Sequence, residues 1–134
     1  YDEGITYLGG CLRTHKVIEQ LDLTDTHIGD FGAIYLADVL MAQSSLTFLD
    51  LSHNDIQTEG AQALFEMLKH NDTIQTLSLR GNIIEREAFY DLCHVLMHRH
   101  TPLVLDLQDI PSLDHDIQDR LLDFAQGSEI QLIL

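Results

Sequence analysis

Residues 46 to 68 read Leu46-Thr47-Phe48-Leu49-Asp50-Leu51-Ser52-His53-Asn54-Asp55-Ile56-Gln57-Thr58-Glu59-Gly60-Ala61-Gln62-Ala63-Leu64-Phe65-Glu66-Met67-Leu68. Two periodicities meet in this stretch. Up to Ser52 apolar and polar residues alternate with period two, as in a short strand buried on one face. From Gly60 onward the apolar spacing becomes three and four, through Ala61, Leu64, Phe65 and Leu68, which is a helix with a single buried stripe. Asn54 lies between the two halves. A buried amide there can donate to and accept from loop backbone in an adjoining coil, replacing bonds that the bend cannot make.

The same pattern recurs in both directions with a period of 28 residues. Leu21, Leu49, Leu77 and Leu105 form one column, and Leu23, Leu51, Leu79 and Leu107 a second. Ile28, Ile56 and Ile84 follow, then Leu36, Leu64 and Leu92, then Leu40, Leu68 and Leu96. Several columns in phase predict stacked repeats, in which each coil contacts its neighbours and the core is a ribbon. Asn82 repeats Asn54, and Thr26 replaces the amide in the first complete coil, where a hydroxyl serves only in part. Asp30, Thr58 and Asp114 are expected to cap helix starts, with Arg86 departing from the rule. Lys69, His70, His98 and Arg99 end their helices, where positive charge suits the helix dipole.

At this point the chain resembles a leucine-rich-repeat protein, and its period and Gly-x-x-x-Leu helix half are similar to the ribonuclease-inhibitor subfamily. The resemblance implies an α/β solenoid, with a curved parallel sheet on the concave face and helices on the convex face. It covers nearly all of residues 1–134, read as one domain. Residues 1–15 form the helix half of a truncated repeat, since Gly4, Leu8 and Leu12 precede Gly32, Leu36 and Leu40 by one period. Residues 18–45, 46–73 and 74–101 are regular repeats, and 102–134 a degenerate capping repeat. There Ile110 and Pro111 replace the amide turn, and Arg120 falls where leucine is expected. Ile117, Leu121 and Phe124 keep a helical stripe, and Ile130 to Leu134 supply a last strand. A start at Tyr1, in mid-coil, leads to the expectation of a longer parent protein.

Seven Lys and Arg against 22 Asp and Glu give a formal charge of −15. Such a surface repels phosphates and anionic lipid, which argues against nucleic acid and membrane and favours a basic protein partner. No apolar run reaches membrane-spanning length, and no secretory signal opens the chain. The two cysteines, Cys11 and Cys93, lie nearly three coils apart. At ~4.8 Å per strand they exceed the ~7 Å reach of a disulfide. Reduced thiols point to an intracellular, cytoplasmic location. Asn71-Asp72-Thr73 matches a glycosylation sequon by chance.

With the consensus leucines turned inward, the residues between them face the concave side. One column reads Gln20, Phe48, Thr76, Val104 and Leu132, the next Asp22, Asp50, Ser78, Asp106 and Leu134. Beyond them lie Thr24, Ser52, Arg80 and Gln108, then Asp25, His53, Gly81 and Asp109. The expected partner site comprises Gln20, Asp22, Thr24, Asp25, Phe48, Asp50, Ser52, His53, Thr76, Ser78, Arg80 and Asp106. Asp22 and Asp50 stand on adjacent strands, where like charges repel and a partner cation would relieve them. Phe48 among carboxylates is a candidate anchor. The competing reading has the aspartates discouraging sheet aggregation, Phe48 covering its neighbours, and Arg80 pairing with Asp106 or Asp50.

On the convex side, Glu66, His70, His94 and His98 are expected on neighbouring helices. Helical i, i+4 spacing suits zinc, but exposed helices ~10 Å apart offer no preorganised cage, and no metal or other cofactor is assigned. No Gly-x-Ser-x-Gly turn, phosphate loop or Cys-x-x-Cys pair is present, Gly9-Gly10 matches no cofactor fingerprint, and no small-molecule substrate or enzyme activity is assigned. The sequence therefore predicts a scaffold that binds a protein partner. The resemblance keeps open a regulatory segment of a larger protein, of the Ran GTPase activator, innate-immune nucleotide-binding receptor or actin-capping type. A structural part in a cytoskeletal or ciliary assembly also stays open.

Overall fold

The computed structural model describes residues 2–14, 17–42 and 45–134. Tyr1, and residue 15 at the expected first boundary, lie outside them. Ten elements alternate: α1 (Asp2–Thr14), β1 (Gln20–Asp22), α2 (Asp30–Ala42), β2 (Phe48–Asp50), α3 (Thr58–His70), β3 (Thr76–Ser78), α4 (Arg86–His98), β4 (Leu103–Asp106), α5 (His115–Ala125) and β5 (Ile130–Ile133). The strands form one parallel sheet in chain order. Each helix packs on the next along the stack. Strands sit ~4.8 Å apart and helices need ~8–10 Å, so the stack closes only by curving with the sheet inside.

The leucine columns lie in the core. Leu49, Leu77, Leu105, Leu51, Leu79, Leu36, Leu64, Leu92, Ile28, Ile56 and Ile84 are all buried. Leu21 and Leu23 are only half-buried because β1 forms one edge of the sheet. Phe65 and Phe89 pack as a tilted pair, ring centroids 6.4 Å apart, between α3 and α4.

The coils are joined by hydrogen bonds that continue past the strands. Leu23, Asp25, Leu51 and His53 donate their amides to Asp50, Ser52, Ser78 and Arg80 of the following coil. To stay in that ladder the chain turns through the left-handed region at Asp25, His53, Gly81 and Asp109, with φ of 55°, 55°, 73° and 58°. Asn54 closes the turn as its position predicts. Its Oδ1 accepts from the amides of Thr26 and Ile28 at 3.0 and 2.9 Å, and its Nδ2 donates to the carbonyls of Leu23 and Leu51 at 2.9 and 3.1 Å. Asn82 repeats this with the Ile56 amide and the carbonyls of Leu51 and Leu79. Thr26 bonds the carbonyl of Leu23 in its own turn and reaches Asn54 Oδ1 at 3.3 Å.

Three expectations are corrected. Only Asp114 caps its own helix, accepting from the Ile117 amide at 3.1 Å. Asp30 instead accepts from Gln57 and Gly60, at the start of the helix in the next coil. Thr58 Oγ1 likewise accepts from Glu85, and Arg86 pairs with Asp114 at 3.1 Å. Spacing within one coil could not reveal this, because the acceptor and its amides lie almost a full period apart. A β-carbon on Gly60 would stand 2.6 Å from Asp30 Oδ1, so this glycine makes room for the neighbouring coil's carboxylate.

The second correction concerns the last strand, where Val104 pairs with Gln131, Leu105 with Leu132 and Asp106 with Ile133. The final step is one residue short of the period, with α5 spanning 11 residues where α2 to α4 span 13. Leu132 therefore packs toward the core and Ile133 takes the place expected of Leu134. Third, Phe124 is exposed, so the buried stripe of α5 reduces to Ile117 and Leu121. Arg99 ends α4 as expected, but it is 4% exposed and bonds inward to the carbonyls of Leu68, Asn71 and Ile74. It is a buried tie between coils, and burial pulls its guanidinium below the usual value.

Asn54→Leu keeps the volume but leaves several buried backbone groups unpaired. Urea unfolding should show a loss of about 3 kcal/mol or more. A loss below about 1 kcal/mol would mean that water or local rearrangement replaces the amide.

Candidate interaction surface

The sheet face turned away from the helices carries a shallow trough of ≈ 360 Å³ that runs across the coils. Phe48, Asp50, Thr76, Arg80, Val104, Asp106 and Ile133 line it, with Thr24 and His53 at its rim. The pairing places Gln20, Phe48, Thr76 and Val104 in one row and Asp22, Asp50, Ser78 and Asp106 in the next, as the period predicts. Gln20, Asp22, Thr24, Asp25, His53 and Arg80 are exposed, while Phe48, Asp50, Thr76 and Asp106 are half-buried.

Ser52 and Ser78 lie deeper than a contact surface requires, at 6% and 8% exposure. Their hydroxyls meet at 2.6 Å, and Ser52 also donates to Asp50 Oδ1. Asp50 therefore occupies one oxygen with the amide and hydroxyl of Ser52. Asp22 accepts from the Thr24 amide at 2.9 Å and Asp106 from the Gln108 amide at 3.0 Å. Ser78 does the same, more loosely, for the Arg80 amide at 3.4 Å. Over the first four strands this column thus caps the amide two residues on, a local turn bond of the aspartate and serine type. The signal was present in the sequence as a repeated Asp/Ser at one position, but charge alone had suggested only a patch.

The hydroxyl and amide of Thr24 hold the Asp22 carboxyl below its ordinary value of 3.8. Asp22 and Asp50 therefore face one another across the β1–β2 ladder with the repulsion partly offset by amide donors. Arg80 does not pair with Asp106 or Asp50. Its Nε binds Asp109 Oδ2 at 2.7 Å, which raises the guanidinium's pKa further. Asp109 is a full period away in the left-handed turn of the next coil, so the ion pair runs along the rim and leaves the floor open. The result is a graded face: carboxylates at the β1–β2 end, Phe48 in the middle, and Val104 and Ile133 toward β5.

The convex quartet does not converge. Glu66 is held by Lys69 at 3.2 Å and His70 at 3.4 Å, and the Lys69 ammonium keeps its carboxyl below the usual range. The His98 ring turns to the His94 carbonyl of its own helix at 2.7 Å. Among the described residues no group of three or more His, Cys, Asp or Glu is placed to hold a metal ion. Gly9 serves packing, because the Tyr35 ring lies against the spot where its β-carbon would be. No helix among the described residues is long and apolar enough to cross a membrane.

Five strands and five helices in alternation, stacked in parallel register with buried asparagines at two of the bends, define a leucine-rich-repeat fold. A family model described as a leucine-rich repeat matches residues 14–37 and 42–65. No curated protein sequence matches significantly. Among solved structures, leiomodin-1 actin-binding site 2 is similar with a TM-score of 0.82 and 15% identity, covering 99% of this chain and 79% of that one. The tropomodulin C-terminal domain from Caenorhabditis elegans gives a TM-score of 0.82 at 10% identity, covering 97% and 81%. These likenesses establish the fold.

A depressed carboxyl pKa gives stability that is present above the unfolded value and lost as pH falls through the folded one. The Asp22 side-chain carboxyl, followed by NMR, should titrate with a midpoint below 3.8. Thr24→Val should move the midpoint part of the way back, since the hydroxyl goes and the amide stays. An unshifted wild-type midpoint would remove the turn bond from the account of this face.

Proposed function

We propose that this chain is a protein-interaction module that holds a partner with a basic patch on the concave face, over Phe48 and Asp50 in the trough and Asp22 and Asp25 beside it. The observation that carries the reading is the graded trough itself. A half-exposed aromatic ring shares the face with carboxylates that accept hydrogen bonds from local amides. Aromatic anchors with a charged rim supply binding energy and steering respectively. The remaining contacts would come from Gln20, Thr24, His53, Thr76, Arg80 and Asp106, with Ser52 and Ser78 acting beneath them. The chain acts by binding, not by catalysis, and works inside the cell, where Cys11 and Cys93 stay reduced. We take residues 1–134 as one repeat domain.

A second reading is favoured by the fold of leiomodin-1 actin-binding site 2, a regulatory or structural segment that contacts actin. Co-sedimentation of the chain with actin filaments separates the two, since the first reading does not require actin.

Asp22 and Asp50 cap turn amides, so a charge-reversing substitution would disturb the turn as well as the surface. Asp22→Asn and Asp50→Asn keep an acceptor oxygen and remove only the charge. Against a partner recovered by affinity capture with this chain, the double variant should weaken binding about tenfold or more at low salt and flatten its salt dependence. Phe48→Ala should weaken it by a further factor that salt does not change. Both should melt within a few degrees of the parent. Unchanged affinity in both variants would move the site off this face.

A further inference from the structure

Asn71 and Arg99 stand one period apart, each as the residue that ends a helix. Both are extended, and their amides donate alike to Met67 and Val95 at 2.9 Å. Each side chain reaches back to the helix of the preceding coil. Asn71 Nδ2 donates to the Leu40 carbonyl and Arg99 Nη1 to the Leu68 carbonyl, both at 2.6 Å. Arg99 also serves Asn71 and Ile74. These residues form a second ladder, at the helix end of the strands, parallel to the asparagine ladder at the other end.

The ladder stops at the next rung. The residue that ends α5 is Gln126, and it is exposed. Gly127 follows with φ 82° and open space where a side chain would start. Among the described residues no side-chain donor reaches the carbonyls of Leu96, Arg99 or Pro102, the counterparts of the three that Arg99 serves. In that place lies a cavity of ≈ 330 Å³, lined by Leu96, Met97, His100, Phe124, Gly127 and Glu129 and backed by Arg99.

We propose that this cavity binds an arginine side chain of a partner protein, which supplies the missing rung. The cavity lies at the C-terminal end of α4, where the helix dipole is negative, and Glu129 adds a carboxylate. Phe124 and Met97 offer exposed apolar surface to the methylene stem and the flat face of a guanidinium. Arginine fits better than lysine because its planar fork meets several carbonyls at once, as Arg99 does one coil earlier. The charge of Arg99 is enclosed by its three carbonyls and faced by Asp72. The cavity shares no lining residue with the trough, so the two sites stand or fall separately.

The test is titration of the whole chain with N-acetyl-arginine amide and with N-acetyl-lysine amide, followed by amide NMR shifts. The arginine probe should shift residues 96–100 and 124–129 saturably, and bind at least about threefold tighter than the lysine probe. Glu129→Gln should weaken it about threefold or more. Gln126→Arg should fill the cavity from within the chain and abolish the shifts. Absent shifts overturn the proposal, as do equal shifts from both probes or shifts spread over the acidic strands. So does persistence of the arginine shifts in Gln126→Arg; should that variant fail to fold, the comparison of probes and Glu129→Gln decide.

Discussion

The structure depends on how each coil satisfies the backbone of its neighbour at the bends. A parallel sheet of three- and four-residue strands leaves most of the chain outside regular ladders, and buried N–H and C=O groups must still be paired. Asn54 and Asn82 do this where strand leaves for helix, and Asn71 and Arg99 where helix returns to strand. Each side chain serves several groups, some in its own coil and some in the one before. A coil alone would therefore carry unsatisfied groups at both ends, which binds folding to stacking.

The same logic explains the trough. Asp22, Asp50 and Asp106 recur at one strand position, and each accepts from the amide two residues on, in the turn that follows its strand. The acidic surface is thus partly a by-product of turn architecture. Function and fold draw on the same carboxylates, which is why a neutral amide at these positions separates the two.

Much of this was legible in the residues. The leucine and isoleucine columns located the core, and the residues between Leu21, Leu49, Leu77 and Leu105 came out in the expected rows over the first four strands. Asn54 and Asn82 were read correctly because a buried amide at a bend has few other uses. The failures have a common cause. Asp30 and Thr58 looked like caps for their own helices, and Arg99 only like the end of its own. All three in fact reach across to another coil, and spacing within one coil carries no information about that.

The sequence by itself determined the period, the inward leucines and the parallel order of the strands, since these follow from repetition and from which surface must leave water. Tertiary structure alone decided which polar side chain meets which backbone group, and where the register slips by one residue before β5. Those outcomes turn on distances between coils, set by packing helices against a more closely spaced sheet. A periodic sequence names the neighbours, but only the stacked geometry shows which atoms come within reach.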